Sequence, residues 1–245
     1  MPPKLKSKKK PAPDPPPPQV QLPNWPPLTP LLPREDLTLV PLLEGQIYTI
    51  PSFFTSTLCA TYRSFLSTLP LTTTPGKPKR GEAVRVNDRF QVQDAVFAGR
   101  VWEAGVGDLV REMEGVEWGG EVLGLNPNIR VYRYKEGMFF GQHYDESNNI
   151  DFSIPGASPV RARTTWTLLI YLSGLETGCE GGETVFHPEP PKGKGRRETP
   201  EPIVVEMRTG TALLHRHGEG CLLHEGAEVR AGEKWVLRSD VCVRR

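Results

Sequence analysis

From Asn126 onward the sequence breaks into short runs of β-branched, aromatic and aliphatic residues separated by glycine and proline: IRVYRY, FFGQHY, TTWTLLIYL, ETVF, PIVVEM, TALLHR, GCLLH and KWVLRSDVCV. Each suits a pleated, buried surface and is bounded by turn residues. Eight such runs in succession, with no helical periodicity between them, predict a sandwich or barrel rather than a parallel α/β sheet. The β core is expected over 127–245. Two stretches, 146–163 and 187–202, do not alternate and are expected to be long loops, which in a compact β domain often act as lids or partner-binding elements.

Upstream the period is helical. In STLCATYRSFLSTL, Leu58, Tyr62, Phe65, Leu66 and Leu69 share one face, Thr55 or Ser56 is placed to cap the start, and Pro70 to end it. AVFAGRVWE reads as a second helix with Phe97, Val101 and Trp102 on one side, stopped by Gly105 and Gly107. Helical support is therefore expected within 52–115. Thirteen of the 26 prolines fall in the first 33 residues, and five of the first ten positions are lysine. Such a stretch buries too little apolar surface to offset its ordering entropy, so 1–33 is expected to be a disordered basic tail and 34–245 the folded domain. Lys4, Lys6, Lys8, Lys9 and Lys10 have the form of a nuclear import signal.

With 37% hydrophobic and 24% charged residues the chain is globular, and a net charge of +1 excludes a chain-wide basic field for nucleic acid. Four dispersed cysteines without a CxxC pair argue against a disulfide scaffold or zinc knuckle. No apolar run approaches the roughly 18–20 residues of a membrane span, and MPPKLKSKKK is not a secretory leader. The expectation is a cytoplasmic and/or nuclear protein without a membrane partner. Because the last strand runs almost to Arg245, leaving little room for a dimerisation helix, a monomer is expected.

The chemistry concentrates in YRYKEGMFFGQHYDES. Two apart on a strand, His143 and Asp145 face the same way and can grip one ion. A distant His224, after CLL, would complete two histidines and one carboxylate, a facial set that leaves three positions open on non-haem Fe(II) and suits oxygen activation. A rival set joins His215 and His217 with His224 but lacks a carboxylate; the alternative for both is a strand end and a turn. His187, before Pro188, reads as solvated. Open-sided Fe(II) needs an electron-donating cosubstrate, and a dicarboxylate such as 2-oxoglutarate needs a buried cation at its far end. Lys234 opens the last strand and shares a face with Val236, Arg238 and Asp240; Tyr134 and Tyr171 lie on strands that would line the same cavity.

In the order and spacing of YRYKEGMFFGQHYD, TTWTLLIYLSG, GGETVF and HEGAEVRAGEKWVLRSD, roughly residues 129–243, the sequence resembles the 2-oxoglutarate and Fe(II)-dependent dioxygenases, in their prolyl 4-hydroxylase-like branch. The resemblance implies a mainly β fold with supporting N-terminal α-helices around a double-stranded β-helix, the jelly roll or cupin-like core. It implies Fe(II) on His143, Asp145 and His224, the C5 carboxylate of 2-oxoglutarate on Lys234, Tyr171 near that carboxylate and Tyr134 in the cosubstrate pocket. O2 is then the second cosubstrate and ascorbate an optional addition.

Departures from that pattern are informative. Phe140 stands three residues before the first ligand where the collagen-type enzymes have tyrosine. Arg238 is unlike the neutral residues usual on that face, and is expected to bind substrate or share the cosubstrate contact. RSDVCVR, with Arg238 and Arg244, superficially matches the RxxxxxR signature of nucleic-acid demethylases in the same superfamily. In RVNDRF, Arg85, Asn87 and Arg89 alternate onto one side and are expected to line the approach for substrate. The resulting expectation is a hydroxylase of a prolyl or other residue in a protein or peptide, releasing succinate and CO2. The alternatives are a nucleic-acid demethylase, a small-molecule hydroxylase, or a jelly-roll binding module without catalysis.

Overall fold

The computed structural model describes residues 22–74, 76–78, 81–189 and 200–245. Among the described residues the first strands form a hairpin, β1 (Val40–Leu43) and β2 (Ile47–Ile50), followed by helix α1 (Ser56–Leu66), β3 (Thr72–Thr73), β4 (Asp88–Gln93), α2 (Ala95–Val101) and α3 (Gly107–Glu112). There follow β5 (Val122–Leu125), β6 (Asn128–Lys135), β7 (Phe140–His143), β8 (Asn149–Phe152) and β9 (Val160–Tyr171). After these come β10 (Glu180–Gly181), β11 (Thr184–His187), β12 (Ile203–Val205), β13 (Ala212–Arg216), β14 (Leu223–Gly226), β15 (Val229–Ala231) and β16 (Glu233–Arg244).

All eight runs expected to be strands are strands. A large antiparallel sheet runs β1-β2-β13-β9-β16-β6-β4-β3, with β5 on β16 and β8 on β9; a smaller one runs β12-β11-β14-β7. The two close on each other as a jelly roll. Along β9 and β16 successive side chains take opposite faces. Trp166, Leu168, Ile170, Trp235 and Leu237 join the helices in one core, while Tyr171 and Val236 enter a second core inside the roll with Tyr134, Phe186 and Leu213. Both faces of the large sheet are covered, which is why its central strands read as nearly continuous apolar runs.

Helix α1 starts where expected: the Thr55 hydroxyl accepts from the Leu58 N–H at 3.2 Å, and Leu58, Cys59, Tyr62 and Leu66 are its buried face. The glycines expected to end the second helix do not. Between α2 and α3 the chain makes one wide turn, Trp102–Val106, in which Gly105 has φ 125°, and it then resumes as helix from Gly107. A Cβ on Gly105 would sit 2.6 Å from Leu37 Cδ1, and one on Gly107 2.6 Å from the Trp102 ring. Close packing, rather than termination, explains both residues.

Two organisational expectations are corrected. The stretch 22–33 is part of the fold: Trp25 stacks on Phe97 at 4.0 Å and gives its indole N–H to Asp94 at 2.8 Å. The Pro26 carbonyl takes the Tyr62 hydroxyl and Arg100, so these prolines pave the helices. The stretch 146–163 is not a loop but holds the β8–β9 hairpin, in register from Asn149 opposite Arg163 to Phe152 opposite Val160. Strands β1, β2 and β5 were not foreseen at all. The lysine run at 4–10 and most of 187–202 lie outside the described residues. Among the described residues no helix is long and apolar enough to cross a membrane.

Candidate metal centre

Antiparallel pairing of β7 with β14 sets His143 directly opposite His224, and the two rings lie 4.2 Å apart. Just beyond β7, Asp145 is fixed at its main chain: its N–H meets Cys221 Sγ at 3.2 Å, and its carbonyl accepts from Gly218 N at 2.9 Å. Its carboxylate oxygens lie 3.8 Å from His143 Nε2 and 3.8 Å from His224 Nε2. The three ligand atoms fall within 4.8 Å of one another, so the trio expected from sequence comes together on one side of the roll's interior.

The donor set fits a divalent cation. His143 Nδ1 is 2.9 Å from the Gly141 carbonyl and His224 Nδ1 is 2.9 Å from the Leu222 carbonyl. Donation to those oxygens places the proton on Nδ1 and leaves Nε2 bare for a metal. Burial, reinforced by His224, pushes His143 down to about 3, and burial also lowers His224, so both rings are neutral at pH 7. Burial alone would raise the Asp145 carboxyl, but the Arg238 guanidinium and the surrounding imidazoles hold it well below the usual carboxylate range.

Arg238 donates to Asp145 Oδ2 at 2.8 Å, Thr167 Oγ1 at 3.3 Å and Asp240 Oδ1 at 3.5 Å, while its buried Nε has no hydrogen-bond partner among the described residues. It therefore fixes the Asp145 carboxylate, and it also lines both the cavity and the groove beyond it. Asp240 is in turn tied to Arg130 and Asn126. Thr167 donates to Asp145 Oδ2 at 3.0 Å and stands 2.9 Å from His217 Nδ1, whose Nε2 is 3.0 Å from Thr164 Oγ1. His217, just past the end of β13 where the chain turns, is thus a buried strut.

The cavity leads from this trio to Lys234. Its lining includes Tyr132, Tyr134, Phe140, Thr184, Val236 and Gly226. Lys234 is 4% exposed, and among the described residues its sole hydrogen-bond acceptor is the Gly182 carbonyl at 2.6 Å. The Tyr134 and Tyr171 rings flank it at 5.3 and 5.7 Å, and burial pushes its ammonium down to about 8. A buried cation with one acceptor for three N–H groups has room for a carboxylate. Tyr171 does not line the cavity: its hydroxyl is 2.7 Å from Thr184 Oγ1, and Thr184 is the group that does. Burial keeps both tyrosines protonated, their pKa values raised.

At its mouth the cavity opens into a wide groove walled by Arg85, Arg89, Gln91, Gln142, Tyr144, Glu146 and Asn149, among others. Arg85 lies 3.7 Å over the Phe140 ring and 5.4 Å from that of Tyr132. Of the three residues expected to line the approach, Arg85 and Arg89 do. Asn87 is fully buried and bonded to Thr74. Arg244 pairs with Glu121 on the exterior, so the second arginine of RxxxxxR is not at the site. His187 is not free in solvent but 3.1 Å from Glu225.

Sequence reasoning undervalued Thr167, Thr184 and His215. His215 does lie near the end of its strand, one residue before β13 stops, but it is 1% exposed and lines the cavity with the metal trio. Thr167 was within reach, since it alternates with Leu169 and Tyr171 on β9.

Residues 129–239 match the model of the 2OG-Fe(II) oxygenase superfamily. No curated protein matches the sequence. Among solved structures, the fold resembles the viral collagen prolyl hydroxylase of Paramecium bursaria Chlorella virus-1, solved as a 2OG complex. Identity is 18% over 81% of this chain and 96% of that one, with TM-score 0.50. A Pseudomonas putida prolyl-4-hydroxylase is 15% identical over 82% of this chain and 94% of that one, TM-score 0.50. The Trichoplax adhaerens prolyl hydroxylase, in complex with a hypoxia inducible factor oxygen degradation domain peptide fragment, is 15% identical over 81% and 84%, TM-score 0.52.

Proposed function

Taking residues 129–239 as a member of the 2OG-Fe(II) oxygenase superfamily, we propose that the protein hydroxylates a prolyl or other residue of a protein or peptide. When bound, iron and 2-oxoglutarate supply the chemistry: O2 oxidises the cosubstrate to succinate and CO2, and one oxygen atom enters a substrate C–H bond. The observation that carries the reading is the buried line from the neutral His143 and His224 and the charged Asp145 to Lys234, an otherwise under-satisfied ammonium at the far end of one cavity.

The chain's own residues do the rest. His143, His224 and Asp145 would hold the ion, with Arg238 and Thr167 keeping the carboxylate in one orientation. Lys234 and Thr184 would hold the distal carboxylate, and Val236, Leu169, Phe140 and Phe186 keep water from the interior. The groove beyond the mouth is wide and lined largely by hydrogen-bonding side chains, among them Arg85, Arg89, Gln91, Gln142 and Asn149, which favours a segment of a macromolecule over a small molecule enclosed on all sides. The prolyl hydroxylase folds it resembles, one solved with a peptide, support the same choice.

The test is incubation of the protein with Fe(II), 2-oxoglutarate and O2 against a digest of cell lysate, followed by mass analysis for peptides heavier by one oxygen. Oxidised peptides that require both iron and cosubstrate support the reading. Succinate release that no peptide stimulates, with oxidation confined to a metabolite fraction, would replace the substrate class.

A further inference from the structure

Three imidazoles surround the Asp145 carboxylate, and they are not built alike. His143 and His224 each meet a main-chain carbonyl through Nδ1. The third, His215, stands on β13 opposite Thr167. Its Nε2 is 3.9 Å from Asp145 Oδ2, and its ring is set edge-on to His224 at 4.7 Å and to Phe186 at 5.2 Å. Its Nδ1 is buried and meets no partner among the described residues. It also falls outside the trio whose ligand atoms lie within 4.8 Å of one another.

A neutral imidazole carries one N–H and one lone pair. Nδ1 is sealed from solvent without a partner, whereas Nε2 is turned toward the cavity and Asp145. As for main-chain groups, an N–H shut away without an acceptor is rarer than an idle lone pair, so Nδ1 keeps the lone pair and the proton sits on Nε2. That N–H points toward the metal end of the cavity. Asp145 Oδ2, at 3.9 Å, is beyond hydrogen-bond reach and already accepts from Arg238 and Thr167. The cavity therefore holds an unspent donor at each end: the Lys234 ammonium at one, the His215 imidazole at the other.

We propose that His215 is a cosubstrate-binding residue, its Nε2–H donating to an oxygen of 2-oxoglutarate at the metal end while Lys234 holds the far carboxylate. The inference rests on the reading of the site as an Fe(II) and 2-oxoglutarate centre. It separates His215 from the two ligands: a ligand needs a bare Nε2, hence a proton on Nδ1, and no group is there to receive it.

The test uses the full chain with Mn(II) in place of Fe(II), titrated first with metal and then with 2-oxoglutarate, as wild type, His215→Phe and His215→Gln. Metal affinity should stay within about twofold, while 2-oxoglutarate binding to the metal-loaded protein weakens about tenfold or more in His215→Phe, as for a lost hydrogen bond to a charged acceptor. His215→Gln, which keeps an N–H, should recover part of the loss. Unchanged 2-oxoglutarate affinity in His215→Phe overturns the proposal, as does a tenfold loss of metal affinity without change at the cosubstrate, which would make His215 a fourth ligand. Should His215→Phe fail to fold, nitrogen-15 histidine spectra of the wild type with Zn(II) decide. The Nε2–H tautomer, shifted on adding 2-oxoglutarate, is expected, and an Nδ1–H tautomer overturns the proposal. Wild type that binds the metal but no 2-oxoglutarate defeats the underlying reading itself, an outcome distinct from a loss confined to the variants.

Discussion

Arg238 lays its guanidinium 2.8 Å from Asp145 Oδ2, so the carboxylate that completes the metal trio is neutralised by the protein itself. Both side chains are largely buried, and Arg238 also touches Thr167 and Asp240. A carboxylate closed in with two neutral imidazoles would otherwise tend to take up a proton. The pair thus keeps a ligand ionised and oriented when no cation is bound.

Arg238→Met should therefore destabilise the metal-free protein by about 3 kcal/mol, as for a buried charge stripped of its partner. The loss should shrink when Zn(II) or Mn(II) is present, because the ion supplies the missing charge. Denaturant unfolding with and without metal measures this, and an equal loss in both states would place the role of Arg238 elsewhere. Affinity for 2-oxoglutarate at saturating metal should change little.

Lys234 sets a pH dependence. Burial pushes its ammonium from 10.5 to about 8, so above about pH 8 the free site loses its cation and 2-oxoglutarate binding should weaken, approaching tenfold per pH unit. Its lowered pKa makes the unfolded chain the better proton binder between about 8 and 10.5. Without cosubstrate, this lysine's contribution to stability should accordingly rise with pH across that window. Lys234→Arg should flatten the binding profile, and a flat wild-type profile from pH 7 to 9.5 would contradict the assignment.

Trp25→Ala should cost about 3 kcal/mol in thermal or denaturant unfolding. It removes a large ring stacked on Phe97 and leaves Asp94 without its indole donor. A shift below about 0.5 kcal/mol would mean that the 22–33 segment is not part of the stable fold.

How much was legible in advance follows from what each residue's signal depends on. The central strands of the large sheet were visible because both their faces are covered, leaving runs such as TTWTLLIYL between glycines. His143 and Asp145 announced themselves by spacing, and His224 and Lys234 by their place beside the last strands. The segment around Trp25 was misread because proline-rich composition says nothing of a partner surface, and here that surface is formed by Phe97, Tyr62 and Arg100 from far along the chain. Strand β8 was missed because only Ile150 and Phe152 alternate among polar neighbours. Arg238 was placed on the correct face of β16, yet its partner depends on how β7 docks across the roll, a distance that periodicity does not carry. His215 is the same case: HRH looked like a strand end, and only the closing of the two sheets buries it beside Asp145.

Succinate formation from 2-oxoglutarate under O2, compared with and without added Fe(II) in the wild type and in His143→Ala, tests the central claim most directly. The account expects iron-dependent succinate from the wild type, even without substrate, and none above background from a folded His143→Ala protein. Absence of iron-dependent succinate in the wild type, or its persistence in His143→Ala, would contradict it.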